Sequence, residues 1–245
     1  MAWAVGRYSK LTLNPADSAG VNRTEEQRMA KGVMGMLAEG WMRSQIRDFA
    51  AKQEIVTFKF ASSPPQLNTD GEFEQVDILV TKTKMVEGVE KSVELKVEVR
   101  SSFNYHSLNN AIFNGFSVLG PYGNSVKPGE TLKDIYVFIA IDLHQKAAGD
   151  NLIVYTDGTK RFVDYSKTTT SVLLNHTFSI SEGKATVRNG FDFVLVGGAT
   201  ADMFNDASLA EPLKKNAGYQ NDDFRSIGIP KALDAVSILK RILAT

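Results

Sequence analysis

The chain has 245 residues, of which 43% are hydrophobic and 23% charged, as in ordinary globular proteins. Its 28 basic and 28 acidic residues cancel, so no net charge draws it to nucleic acid or to an anionic membrane. The absence of cysteine excludes disulfides, thiolate catalysis and zinc–thiolate sites, and three histidines at no ligand-like spacing argue against a histidine-based metal site. Neither a leader peptide nor an apolar run of about 20 residues occurs, so we expect a cytoplasmic protein with no membrane partner.

The first half of the chain predicts one long helix followed by three strands. Thr24-Glu25-Glu26-Gln27 has the form of a capping box and starts a helix that should run to about residue 52. Strands are expected over 55–60, 74–85 and 93–102, with a polar loop after the first and a hairpin turn between the last two.

The third of these strands alternates strictly between apolar and charged residues, which is the period of a strand with two unlike faces. Its apolar side chains are Val93, Leu95, Val97 and Val99, and its charged ones are Glu94, Lys96, Glu98 and Arg100. Asp77 lies near the start of the preceding strand. The charged face therefore has an acidic neighbour on the adjacent strand.

The second half begins with a predicted helix over 107–119 and an almost wholly apolar strand over 135–143, which suits a strand buried on both faces. Further strands are expected over 152–155, 170–174, 178–187 as a hairpin, and 191–196, and a last amphipathic helix should open at Ile229-Pro230. We predict a single α/β (α+β) domain over residues 1–245. It has a mixed central sheet flanked by helices, a core over 24–143 and a C-terminal elaboration of strands and helices over 144–245.

The order helix, strand, strand, strand, helix, strand over 24–143, with Asp77 and the patterns Glu94-Leu95-Lys96 and Glu98-Val99-Arg100, resembles the PD-(D/E)xK nuclease superfamily. The resemblance implies a restriction-endonuclease-like αβββαβ core. It also implies Mg²⁺ (or Mn²⁺) held by Asp77 and Glu98, with Lys96 or Arg100 as the partner that stabilises charge. Carboxylates from adjacent strands are the hard oxygen ligands that Mg²⁺ prefers.

The sequence departs from the family pattern at two points. Glu94-Leu95-Lys96 matches the acid-x-lysine motif but lies early in the strand, whereas Glu98-Val99-Arg100 lies at the strand exit with arginine in place of lysine. Arginine stays protonated and cannot act as a base, although Lys96 could serve Glu98 from the same face. Val76 stands where the family has proline before Asp77. Because Glu94 belongs to the exact acid-x-lysine match, it stays a candidate catalytic residue beside Asp77, Lys96, Glu98 and Arg100.

The function that this resemblance implies is a hydrolase, a Mg²⁺-dependent endonuclease that cuts DNA phosphodiester bonds and acts as a homodimer. The loop after the third strand and the turn near 120–124 would then contact nucleic acid. The residues expected to do so are Asn104, Tyr105, His106 and Tyr122.

Two other functions fit the same residues. The charged face could be an ordinary solvated strand surface with cross-strand ion pairs of ~0.2–1 kcal/mol. In that case the chain could be a non-catalytic protein that binds single- or double-stranded nucleic acid, with aromatic residues stacking on bases. It could also be a viral structural or assembly protein.

Overall fold

A computed structural model describes the protein over sixteen segments. They are residues 25–53, 58–67, 70–71, 73–87, 89–103, 108–110, 112–113, 116–121, 129–143, 146–147, 151–156, 159–164, 178–181, 184–187, 191–212 and 225–243.

The helices and strands within these segments follow one another in mixed order. The helices are α1 (Glu25–Lys52), α2 (Leu108–Asn110), α3 (Ala201–Asn205) and α4 (Ala235–Leu243), and a 3₁₀ turn covers Ile229–Lys231. The strands are β1 (Phe58–Leu67), β2 (Phe73–Val86), β3 (Val89–Phe103), β4 (Ser117–Leu119), β5 (Ile135–Leu143), β6 (Lys146–Ala147), β7 (Asn151–Thr156), β8 (Thr159–Asp164), β9 (Phe178–Ser181), β10 (Lys184–Val187), β11 (Phe191–Thr200), β12 (Glu211–Pro212) and β13 (Arg225–Gly228).

A five-stranded mixed sheet in the order β1-β2-β3-β5-β11 is the centre of the molecule. Strand β3 is parallel to β5, and the other neighbouring pairs are antiparallel. The prediction of an α+β protein with a mixed central sheet is confirmed. Three smaller sheets accompany it, of which β12-β13-β4 carries residues that pack against the central sheet.

One face of the central sheet is covered by α1 and α4. This helical face joins alternate residues of β2, β3 and β5 to the apolar stripes of both helices, because successive side chains of a strand point to opposite faces. Its fully buried residues include Met42, Ile46, Ile78, Val97, Val137, Ile139, Ile238 and Ile242.

The opposite face is covered near β5 and β11 by α3, β4 and β13. Its apolar residues are Val118, Tyr136, Phe138, Ala199, Phe204, Ala210, Ile227 and Ile229. Strand β5 thus supplies buried side chains to both faces, as its continuous apolar sequence predicted. Toward β2 and β3 this apolar layer gives way to charged side chains.

Gly197 and Gly198 extend β11 beyond residue 196, where the sequence predicted its end. The backbone of Gly198 exchanges two hydrogen bonds with Leu233, at 2.9 and 2.8 Å. A Cβ atom on Gly198 would lie 2.6 Å from both Ile238 Cγ1 and the carbonyl oxygen of Tyr136, and one on Gly197 would lie 2.8 Å from the carbonyl oxygen of Leu233. The two glycines therefore let the chain before α4 approach the sheet.

Three sequence predictions need correction. Strand β1 continues through Pro64-Pro65, which the sequence assigned to a loop, because an edge strand with register shifts tolerates residues that lack an N–H group. The predicted helix over 107–119 is wrong at its end, since 117–119 form β4 and pair with β13 while Val118 is fully buried. The last helix begins at Ala235 instead of 229, where Asp234 accepts backbone hydrogen bonds of the first turn.

Some predictions concern residues outside the part of the chain that the structure describes. The capping residue Thr24 and the predicted strand over 170–174 lie outside the described residues. The single domain stays a prediction. None of the helices in the described segments is long and apolar enough to cross a membrane.

Candidate functional site

Asp77 lies at the point where the pairing of β2 with β3 stops, one residue before the Ile78↔Val97 pair. Its side chain takes over the acceptor role of the strand backbone, because Oδ2 accepts the N–H of Val99 at 2.8 Å. Its Oδ1 accepts Gln75 Nε2 at 3.2 Å. These two hydrogen bonds hold the carboxylate in one orientation. The residue is buried, with only 5% of its surface exposed.

The helix α1 also reaches this point. Arg43 Nη2 donates to the carbonyl oxygen of Asp77 at 2.8 Å, across a separation of 34 residues. Side chain and main chain of Asp77 are thus fixed from β2, from β3 and from α1.

Arg100 joins two buried carboxylates. Its Nη1 lies 3.0 Å from Glu98 Oε1 and its Nη2 lies 2.9 Å from Glu130 Oε2. The exposed fractions of the three side chains are 4% for Glu98, 1% for Glu130 and 15% for Arg100. The interpretation of β3 as a solvated charged face is therefore wrong at Glu98 and Arg100.

Lys133 is a second cation beside these residues, and it is buried, with 1% of its surface exposed. Its Nζ donates to the carbonyl oxygen and to Oγ1 of Thr131, at 2.9 and 2.6 Å. Burial lowers the pKa of Lys133, and the negative charges of Glu98 and Glu130 oppose that shift.

Tyr136 of β5 lies next to these charged residues. The β3–β5 register places it beside Glu98, and its hydroxyl oxygen accepts the backbone N–H of Lys133 at 3.0 Å. Burial raises the pKa of the Tyr136 phenol. We call Asp77, Glu98, Arg100, Glu130 and Lys133 the buried charged cluster.

The structure separates the two acid-x-cation patterns of β3. Glu94 is exposed, whereas Glu98 and Arg100 are in the buried charged cluster. Lys96 lies between them with 42% of its side chain exposed, and its Nζ is 3.4 Å from Glu74 Oε1. The exact acid-x-lysine match, Glu94-Leu95-Lys96, thus lies at the outer end of the site. The pattern with arginine in place of lysine, Glu98-Val99-Arg100, lies at its centre.

The donor atoms of Asp77 and Glu98 fit a divalent metal in kind, since both are carboxylates on neighbouring strands. No group of three or more histidine, aspartate or glutamate side chains suited to a metal ion occurs within the described segments. An ion here would take its other ligands from water or substrate oxygens. Mg²⁺ in proteins is commonly bound in this way, through one or two carboxylates.

The expected nucleic-acid contacts are not tested. Asn104, Tyr105, His106 and Tyr122 all lie outside the described residues.

Sequence reasoning missed four residues of the site. Arg43, Gln75, Glu130 and Lys133 reach it from α1, from β2 and from the segment before β5. The available signal was a pair of opposite charges three residues apart, Glu130 and Lys133, directly before an apolar strand. Charged side chains are mostly exposed to solvent, so this pair did not by itself indicate a buried site.

The sequence matches no protein-family model, and comparison with curated proteins and with solved structures likewise found no match. Any function must therefore be inferred from the residues of the site and from the topology.

Proposed function

We propose that this chain is a metal-dependent nuclease of restriction-endonuclease-like topology that hydrolyses DNA phosphodiester bonds. Asp77 and Glu98 would be its metal ligands. The observation that carries the proposal is the burial of these two carboxylates, 5% and 3% exposed, on neighbouring strands beside the buried Lys133 and the largely buried Arg100. Buried charges are costly and are concentrated at functional sites, which makes this cluster the best candidate for chemistry.

The topology supports the proposal. A long helix precedes three antiparallel strands, and the next strand of the sheet, β5, lies parallel to β3. The resemblance implies the order helix, strand, strand, strand, helix, strand, and the chain between β3 and β5 departs from it by including the short strand β4. The only α-helix of this crossover in the described residues is Leu108–Asn110.

Each residue of the site would have a separate role in the reaction. A bound Mg²⁺ would supply Lewis-acid activation of a water and of the phosphate. The hydrogen bonds of Gln75 and Val99 would keep the carboxylate of Asp77 oriented toward the site. Arg100 and Lys133 would place positive charge where negative charge develops on the phosphate, a contribution that is large in a water-poor site.

The test is isothermal titration of Mn²⁺ into the protein and into Asp77→Asn and Glu98→Gln, with and without an oligonucleotide. We expect binding that both substitutions abolish, because each removes one of the two charged ligands. Glu94→Gln is the matched control, since it removes the same charge from an exposed position of the same strand. Cleavage of plasmid DNA with Mg²⁺ should follow the same pattern.

Other results would favour the rival functions. DNA binding that falls with salt but ignores metal would indicate a non-catalytic nucleic-acid-binding protein. Stable oligomers without nucleic-acid affinity would indicate an assembly protein. The homodimer and the cytoplasmic location belong to the proposal and stay predictions.

A further inference from the structure

The proposed metal ligand Glu98 is already engaged by a cation of the protein itself. Arg100 Nη1 lies 3.0 Å from Glu98 Oε1, so the two side chains form an ion pair. A divalent ion at Glu98 would meet the guanidinium at the same carboxylate. The two positive charges would then repel each other in a site where water screens little.

We infer that Arg100 couples nucleic-acid binding to metal binding, because a backbone phosphate draws its guanidinium away from Glu98 and so opens that carboxylate to the metal. This inference rests on the proposed function. It assigns Arg100 a positioning role toward the metal ligand in addition to its contact with the phosphate.

The geometry of the three side chains favours this exchange. Arg100 is the most exposed of them, at 15% against 4% for Glu98 and 1% for Glu130, so an incoming anion meets the guanidinium first. A guanidinium binds phosphate in the same two-pronged manner as carboxylate. Phosphate can therefore replace Glu98 as its partner.

The neighbours of Arg100 allow its guanidinium to move while its own charge and those of the two carboxylates stay compensated. Glu130 holds the second nitrogen, Nη2, at 2.9 Å, so the guanidinium can release Glu98 and keep one protein partner. Lys133 lies within electrostatic reach of both carboxylates. Its charge continues to compensate them after Arg100 has turned to the phosphate.

Thermodynamic linkage gives the signature of such coupling. If nucleic acid raises the affinity for metal by some factor, metal raises the affinity for nucleic acid by the same factor. Replacing Arg100 with an uncharged residue should strengthen metal binding in the absence of nucleic acid and leave it nearly unchanged in its presence. A simple loss of positive charge would instead strengthen metal binding by the same factor in both states.

The experiment is calorimetric titration of Mn²⁺ into the wild-type chain and Arg100→Met, with and without a phosphorothioate duplex that resists cleavage. For the wild type we expect the duplex to raise Mn²⁺ affinity about tenfold or more, within the usual range of coupling. For Arg100→Met we expect a higher duplex-free affinity and a coupling clearly smaller than in the wild type, since only the part that comes from substrate oxygens bound to the metal remains. Lys91→Met, which removes an exposed cation of β3, should behave as wild type.

A second variant covers the case in which Arg100→Met fails to fold, since it removes the cation that is paired with both Glu98 and Glu130. Arg100→Lys keeps the charge but cannot grip both carboxylates in fork geometry, so its coupling should fall between the other two. Equal coupling in wild type and both variants, with Mn²⁺ binding intact, would overturn the inference and leave the proposed nuclease standing. Absence of Mn²⁺ binding in the wild type, with and without duplex, would overturn both.

Discussion

On the face covered by α1 and α4, the central sheet presents apolar side chains such as Ile78, Val97 and Ile139, all fully buried. On the opposite face, the same strands bury Asp77 and Glu98 only one residue away in sequence from Ile78 and Val97. Both faces exclude water to a similar degree. They differ in how the excluded groups are stabilised.

Apolar burial is non-directional and depends on the area removed from water, so its parts are nearly interchangeable. A buried ion pair depends on each member, since the loss of one partner leaves a charge that neither water nor protein compensates. The helical face should therefore tolerate substitutions that conserve volume. Removal of one carboxylate from the buried charged cluster should lower the free energy of unfolding, because it leaves a buried cation without its partner.

The largest effect is expected at Glu130. Glu130→Ala removes a carboxylate that is 1% exposed and lies 2.9 Å from Arg100, and we expect a loss of about 3–5 kcal/mol in the free energy of unfolding. Ile139→Val on the helical face removes one buried methylene group and should cost about 0.5–1.5 kcal/mol. Urea unfolding measures both. Equal losses would show that the two faces are not stabilised differently.

A combined substitution separates stability from function at the same place. Replacing Glu98, Arg100, Glu130 and Lys133 together with Met or Leu removes two carboxylates and two cations at once, and Asp77 keeps its hydrogen bonds from Gln75 and Val99. Such replacements of buried ion pairs are often neutral or stabilising by about 1–4 kcal/mol. We therefore expect this variant to unfold at a urea concentration equal to or above that of the wild type while it loses Mn²⁺ binding. A strongly destabilised combined variant would mean that the charges hold the fold together.

An effect of intermediate size is expected in the pH dependence of stability, through Lys133. Burial lowers the pKa of Lys133 and the positive charge of Lys96 lowers it further, whereas the negative charges of Glu98, Glu130 and Asp77 act in the opposite direction. Between the lowered pKa of the folded chain and about 10.4 in the unfolded chain, the unfolded state binds more protons. The free energy of unfolding should therefore rise with pH across that window.

The measurement is the urea midpoint of wild type and Lys133→Met at several values from about pH 7 to about 9.5. The variant should lose the rise that Lys133 contributes. Stopping below pH 10 avoids Tyr136, whose raised pKa acts in the opposite direction, since the unfolded phenol ionises above about pH 10 while the folded one stays protonated. Parallel pH curves would show that Lys133 contributes no change in stability within this pH range.

The sequence could predict the sheet because its signals are local. The alternation of β3 and the apolar run of β5 carry their structure within a few residues, and both strands are confirmed. The helix predicted over 107–119 was wrong at 117–119, where pairing with β13 and burial of Val118 outweighed local preference.

The candidate site was predictable only in part, because its contacts are long-range. Asp77, Glu98 and Arg100 were identified from their strands, but alternation cannot distinguish a buried charged face from a solvated one. Glu130 is 30 residues from Arg100, and Arg43 is 34 residues from the carbonyl group it binds. No periodicity relates residues at such separations, so their convergence needed the folded chain.

The smallest effect is expected at Glu94, and it tests which acid-x-cation pattern matters. Glu94-Leu95-Lys96 is the exact motif match, yet Glu94 is exposed and Lys96 lies near Glu74. Substitutions at such surface positions usually change stability by less than about 0.5 kcal/mol. Glu94→Ala should therefore leave both the urea midpoint and the Mn²⁺ affinity near wild-type values, whereas Glu98→Ala should reduce both. If Glu94→Ala abolished Mn²⁺ binding, the site would lie at the outer end of β3, and burial would be the wrong guide to the chemistry of this sheet.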